Sequence, residues 1–167
     1  MPTLIALLRG INVGKKRMKM ADLRKMFDEL SYQPNKTLLA SGNVVFTSDE
    51  SEAAQVLQKI EAAIQKTFNF ESRVVLRTVD ELQSVVNRVP FPAARLEEAP
   101  TQVAIMFLNE APSQAGIDAL LTYDGVETIH VDGHEVYIDY CEGQGRSKLT
   151  TNFIEKQLGV IGTLRNW

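Results

Sequence analysis

The chain has 167 residues, of which 44% are hydrophobic and 23% charged, with a formal net charge of −3. That size suits one compact domain or two small subdomains, and no apolar run approaches the ~18 residues of a membrane span. The start lacks the basic-then-apolar order of a signal peptide, and a single cysteine, Cys141, excludes an internal disulfide, so the expected location is cytoplasmic, with no membrane partner.

In chain order, Thr3–Leu8 reads as a buried strand, apolar on both faces. A turn from Arg9 to Arg17 follows. A helix is predicted from about Met20 to Leu30, where Met20, Leu23, Met26, Phe27 and Leu30 recur at helical spacing. Two short strands, Thr37–Ala40 and Val44–Thr47, flank Ser41-Gly42-Asn43, and Gly42-Asn43 suits the positive-φ positions of a tight antiparallel hairpin. Asp49 and Glu52 resemble a capping pair for a long helix, about Glu50 to Phe68, and a fourth strand covers Arg73–Arg77. The order β-α-β-β-α-β is the ferredoxin-like one, assigned to residues 1–89.

Thr78-Val79-Asp80-Glu81 is a capping box for a short helix ending near Val89, and the stretch from Pro90 through Pro100 reads as the loop between subdomains. Residues 90–167 then give a strand at Gln102–Leu108 and a helix at Ser113–Leu121. Strands Val126–Val131 and His134–Tyr140 follow, around the hairpin signal Asp132-Gly133. A last helix, Leu149–Leu158, is ended by Gly159. The prediction is an α+β fold: an N-terminal ferredoxin-like βαββαβ subdomain, then a second, smaller βαββα subdomain, the two packed as one compact unit.

The charge is uneven. From Arg9 to Lys25 seven basic residues stand against one acid, Asp22, whereas from Pro90 to Gly145 ten acids stand against one base, Arg95. An anionic partner is therefore favoured at the first stretch. There, Gly10-x3-Gly14-Lys15-Lys16 is one residue short of a Walker loop and has no hydroxyl after the lysine, so it is not a nucleoside-triphosphate motif. Small residues, exposed amides, two lysines and a helix start nearby still suit an anion. In a β-α-β-β order the first and third strands are neighbours, so the turn is expected to meet Ser41-Gly42-Asn43. The candidate ligand-binding set is Arg9, Asn12, Gly14, Lys15, Lys16, Ser41 and Asn43, with Arg146 and Lys148, from a second anion-compatible patch, closing it.

Other chemistry is poorly supplied. His130 and His134 flank the Asp132-Gly133 turn and are expected on opposite faces, so no metal site is predicted. Cys141 reads as an inert strand-end residue, no Gly-x-Ser-x-Gly or His-Glu-x-x-His run occurs, and Asp139 and Glu142 read as solvated. Arg165-Asn166-Trp167 is a third basic patch with the only tryptophan, read as a core or docking residue. The expected partner is a small phosphorylated or nucleotide-like anion. Nucleic acid is disfavoured by the acidic chain and by strands without paired aromatic residues. A non-enzymatic interaction module is the further alternative, and neither a reaction nor a cofactor is assigned.

Leu7-Leu8-Arg9-Gly10-Ile11-Asn12-Val13-Gly14, Met20-Ala21-Asp22-Leu23-Arg24, Ser41-Gly42-Asn43-Val44-Val45-Phe46 and the C-terminal Arg165-Asn166-Trp167 resemble the bacterial domain of unknown function 1697. The resemblance implies an α+β fold of two subdomains in a soluble bacterial protein, and no established activity. Members carry Gly-Gly-Lys where this chain has Gly14-Lys15-Lys16, which implies a stiffer loop here. They also continue past Arg-Asn-Trp, so a further segment beyond Trp167 is expected.

Overall fold

The apolar runs Thr3–Leu8 and Val103–Leu108 each become an inner strand of a separate four-stranded antiparallel sheet. The computed structural model describes every residue from Met1 to Trp167. The chain divides into two units, Met1–Ser84 and Val85–Trp167. No helix is long and apolar enough to cross a membrane.

The first unit runs β1 (Thr3–Leu8), α1 (Met20–Glu29), β2 (Asn35–Leu38), β3 (Asn43–Thr47), α2 (Ala53–Phe68) and β4 (Val74–Thr78), with sheet order β2-β3-β1-β4. Helical periodicity sets its core. Leu23, Met26 and Phe27 of α1 and Val56, Ile60 and Ile64 of α2 are buried against Leu4, Ala6 and Leu8 of β1 and Val44 and Phe46 of β3. Helix α3 (Val79–Asn87) opens with a reciprocal capping box: Thr78 N donates to Glu81 Oε2 (2.7 Å) and Glu81 N to Thr78 Oγ1 (3.1 Å).

The second unit continues with α4 (Ala93–Glu98), β5 (Val103–Leu108), α5 (Gln114–Leu121), β6 (Thr128–Asp132), β7 (Glu135–Asp139), α6 (Thr151–Leu158) and β8 (Gly162–Asn166), with sheet order β6-β7-β5-β8. Its core joins Ala104, Met106 and Leu108 to Leu120, Ile154 and Leu158. The fold is α+β, and both units have the ferredoxin-like strand order. They also share register: Leu7 pairs with Asn43 and Val75, and Phe107 with Glu135 and Thr163.

Several elements differ from the sequence expectation. The second unit has a final strand, β8, that pattern reading omits because Gly162-Thr163-Leu164-Arg165-Asn166 is short and mostly polar. Pairing with β5 decides it: a Cβ on Gly162 would sit 2.7 Å from Phe107 O, so glycine permits the close approach. The Pro90–Pro100 stretch contains α4, whose Arg95 is held by Asp139. Strand β2 lies two residues earlier than predicted, and the loop to β3 has its positive φ at Leu39 and Gly42, not at Asn43. Asp49 and Glu52 give α2 no side-chain cap; Glu50 instead accepts from Tyr32 Oη (2.6 Å) and pairs with Lys59.

The β6–β7 turn is Gly133-His134, one residue later than predicted. Asp132 pairs with Glu135 and Val131 with Val136, which aligns two apolar residues across the strands. His134 therefore lies in the turn rather than on a strand, and His130 pairs with Tyr137.

Candidate anion-binding turn after the first strand

Strand β1 lies between β3 and β4, and both neighbours hold the chain as it leaves the sheet. Leu8 N donates to Gly42 O and Arg9 N to Arg73 O, each at 2.9 Å. Three left-handed residues then bend the chain: Gly10 (φ 65°), Asn12 (φ 55°) and Gly14 (φ 57°). Asparagine tolerates this region better than most side chains. The segment folds back on itself, with Asn12 N donating to Lys16 O (2.6 Å) and Lys16 N to Val13 O (3.2 Å).

Two buried apolar residues pin this basic turn to the core, Ile11 before its tip and Met18 after it. The approach of Ile11 to the β2–β3 loop requires glycine there: a Cβ on Gly42 (φ 86°) would lie 2.5 Å from Ile11 Cδ1. The Asn12 side chain is a staple. Its Nδ2 donates to Ala40 O (2.7 Å) and its Oδ1 accepts from Met18 N (2.8 Å). Asn43 Nδ2 donates to Leu38 O (2.7 Å) and to Ser41 Oγ (3.1 Å), closing the facing loop.

Arg9, Asn12, Gly14, Lys15 and Lys16 thus share one end of the sheet with Ser41 and Asn43. The other wall is the segment before β4. Ser72, itself buried, donates through Oγ to Arg9 O (2.8 Å), and Lys16 Nζ donates to Glu71 O (2.9 Å). Arg17 reaches Asn12 O (3.2 Å). At the tip, Val13, Gly14 and Lys15 are exposed. Helix α1 follows with Lys19 as N-cap and no side-chain cap bond, and Asp22 lies in its first turn.

Arg146 and Lys148 belong to the second unit, both exposed, on the approach to α6. Ser147 between them accepts from Leu149 N (2.9 Å) and donates to Glu127, while the cap of α6 is Thr150. Cys141 Sγ donates to Val126 O (3.2 Å), and burial, with Asp139 adding to it, pushes its thiol pKa up, away from nucleophilic character. No three His, Cys, Asp or Glu side chains gather where they could hold a metal ion.

Ile11, Met18, Glu71 and Ser72 also shape the site and lie outside the set expected from sequence. Ile11 and Met18 left a signal, being the apolar interruptions of a basic run. Glu71 and Ser72 left none, since only the β1–β4 pairing brings them to Arg9.

Comparison with known proteins agrees with this architecture. A family model described as "Protein of unknown function (DUF1697)" matches residues 1–137. No curated protein matches the chain. Among solved structures, a conserved bacterial protein, SP0830 from Streptococcus pneumoniae, superposes with a TM-score of 0.75 at 21% identity. The match covers 99% of this chain and 92% of that one, a likeness of fold.

Proposed function

We propose that the turn after β1 binds a small phosphorylated or nucleotide-like anion; the chain belongs to the DUF1697 family, whose description states no activity, so the reading rests on the site itself. The observation that carries it is the tip of the turn. The amides of Val13, Gly14 and Lys15 and the Lys15 ammonium donate to no protein group, on a loop anchored at both ends. Consecutive free amides beside a lysine are the elements from which phosphate cradles are built. Arg9, Lys16 and Arg17 add positive charge on either side. Asn12, Ser41 and Asn43 hold the loop's shape, since the two asparagine amides are engaged with the chain itself and the Ser41 hydroxyl accepts from Asn43.

Charge-assisted hydrogen bonds contribute roughly 1.5–3 kcal/mol each, less where water screens them. Two such contacts at an open turn correspond to about millimolar affinity for inorganic phosphate. Backbone amide NMR during a phosphate titration tests this: the Val13, Gly14 and Lys15 resonances move first, and Lys15→Glu abolishes the response. Unmoved tip amides at saturating phosphate would rule the reading out. A nucleic-acid partner would instead show affinity falling steeply with salt.

A further inference from the structure

A cavity of about 360 Å³ lies against the segment that holds the basic turn, lined by Glu61, Ala62 and Gln65 of α2 and by Glu71, Ser72 and Arg73. That segment touches the turn at three points: Arg73 O accepts from Arg9 N, Ser72 Oγ donates to Arg9 O, and Glu71 O accepts from Lys16 Nζ. Turn and cavity therefore share a wall, the 71–73 segment.

The cavity's own chemistry differs from the turn's. Glu61 Oε1 accepts from Val74 N (2.9 Å) and Arg73 Nε (3.2 Å), which fixes the carboxylate, while Oε2 makes no hydrogen bond. The Gln65 side-chain amide has no partner either, one turn further along the same helix face. A fixed carboxylate oxygen beside a free amide accepts from and donates to hydroxyls. Glu71 is also on the lining, and Arg73, the one cation there, is engaged by Glu61.

Resting on the reading of the turn as an anion site, we infer that the ligand is a phosphate ester of a sugar or polyol. Its phosphate sits at the Val13–Lys15 tip and its hydroxyls enter the cavity toward Glu61 and Gln65. The volume is at the small end of ligand pockets, enough for one pentose or hexose ring. The second unit supplies an internal contrast. There Glu155 holds Gly162 N (3.2 Å) beside a cavity of about 390 Å³, but the chain after β5 is Asn109-Glu110-Ala111-Pro112-Ser113, with no basic residue. The hydroxyl-recognising cavity is joined to a cationic turn in the first unit alone.

The test compares inorganic phosphate with ribose 5-phosphate by calorimetric titration of the full chain. One added carboxylate–hydroxyl bond is expected to make the sugar phosphate bind about tenfold tighter. Ala62→Phe, at an exposed α2 position, fills the cavity; it should erase that preference and leave phosphate binding unchanged. Gln65→Ala should reduce the preference by a smaller factor. Equal affinity for the two probes, or a preference that survives Ala62→Phe, overturns the inference and leaves the anion turn standing. A preference lost in Ala62→Phe but indifferent to Lys15→Glu keeps the cavity and removes the turn. Binding of neither probe overturns both.

Discussion

The two units are built on the same bonds and differ where the chain leaves them. Leu8 N to Gly42 O has its counterpart in Leu108 N to His134 O (2.8 Å), and Arg9 N to Arg73 O in Asn109 N to Ile161 O (2.9 Å). Glu61 on Val74 N corresponds to Glu155 on Gly162 N. Yet residues 1–84 carry twelve basic and ten acidic side chains, a charge of +2, and residues 85–167 carry six and eleven, a charge of −5. The connection after β1, residues 9–19, holds five basic residues and no acid. The one after β5, residues 109–113, holds one acid and no base, and its Ser113 caps α5 by accepting from Gly116 N (3.1 Å). Scaffold and recognition are therefore separable here: hydrogen bonds fix the sheet ends in both units, and connection length and charge set what each end can attract.

The comparison breaks most sharply at Gly42. Valine there meets both a left-handed φ and Ile11 at 2.5 Å. Left-handed backbone costs roughly 1–2 kcal/mol and overpacking roughly 1–3, so Gly42→Val is expected to lower stability by about 3 kcal/mol or more in urea unfolding. His134, the acceptor in the corresponding bond, is exposed and has no positive φ. His134→Val should cost far less, and an equal cost for the two would show that close approach at Gly42 is not what holds the basic turn.

Next in size are the paired glutamates. Glu61→Ala and Glu155→Ala each strip the first amide of a final strand of its carboxylate acceptor. A hydrogen bond to a charged group is worth about 1.5–3 kcal/mol, and water at these half-buried sites favours the lower end. Comparable losses from the two variants would sharpen the correspondence between units. A loss from one alone would reduce it to a coincidence of geometry.

How much of this the sequence discloses follows from what sets each element. Helices α1 and α2, the capping box at Thr78 and Glu81, and the stop at Gly159 (φ 72°) are local, written in periodicity and in single residues. The meeting of the β1 end with the Ser41–Asn43 loop follows from strand order. Strand β8 is not local: Gly162 and Thr163 are buried because β5 pairs with them, and nothing in their own composition says so. The same holds for the one-residue register of the β6–β7 hairpin, decided by Val131 opposite Val136. In the candidate site, charge pointed to the turn, but a side chain's commitments are invisible in sequence. Asn12, which the sequence places among the expected ligand groups, has both ends of its amide engaged by the chain.

Acid should act on Glu50 in the first unit and on Asp139 and Glu127 in the second. Burial works against the Glu127 charge, but hydrogen bonding, led by the Ser147 hydroxyl, outweighs it and holds that carboxyl below its usual range. The Tyr32 hydroxyl and Lys59 hold Glu50 below the usual carboxylate range, and Arg95, through Nε (2.8 Å) and Nη2 (2.9 Å), does the same for Asp139. A depressed pKa favours the folded state above the unfolded value, roughly 4, and that contribution disappears as pH falls through the folded one. Stability should therefore hold down to about pH 4 and decline below it. Asp139→Asn should flatten the decline, measured as urea midpoint against pH, and an unchanged slope would remove Asp139 from the acid response.

The smallest effect is optical and lies at the other end of the pH scale. The chain has four tyrosines, one in the first unit and three in the second. Burial pushes Tyr137 and Tyr140 up to about 12, with their hydroxyls donating to Val85 O (2.9 Å) and Leu149 O (3.0 Å). Burial also raises Tyr123, and burial together with Glu50 raises Tyr32 further still. A phenol whose folded pKa is raised adds stability that is complete below the unfolded value, about 10, and is lost as pH climbs through the folded one. Phenolate absorbance of the native chain should therefore lag that of the urea-unfolded chain throughout this interval. Tyr137→Phe keeps the ring in the core and leaves Val85 O without its donor, so it should shorten the lag at a cost of about 1 kcal/mol. A native titration already complete at the unfolded value would mean that these rings reach water, and that the second unit's core opens before its phenols ionise.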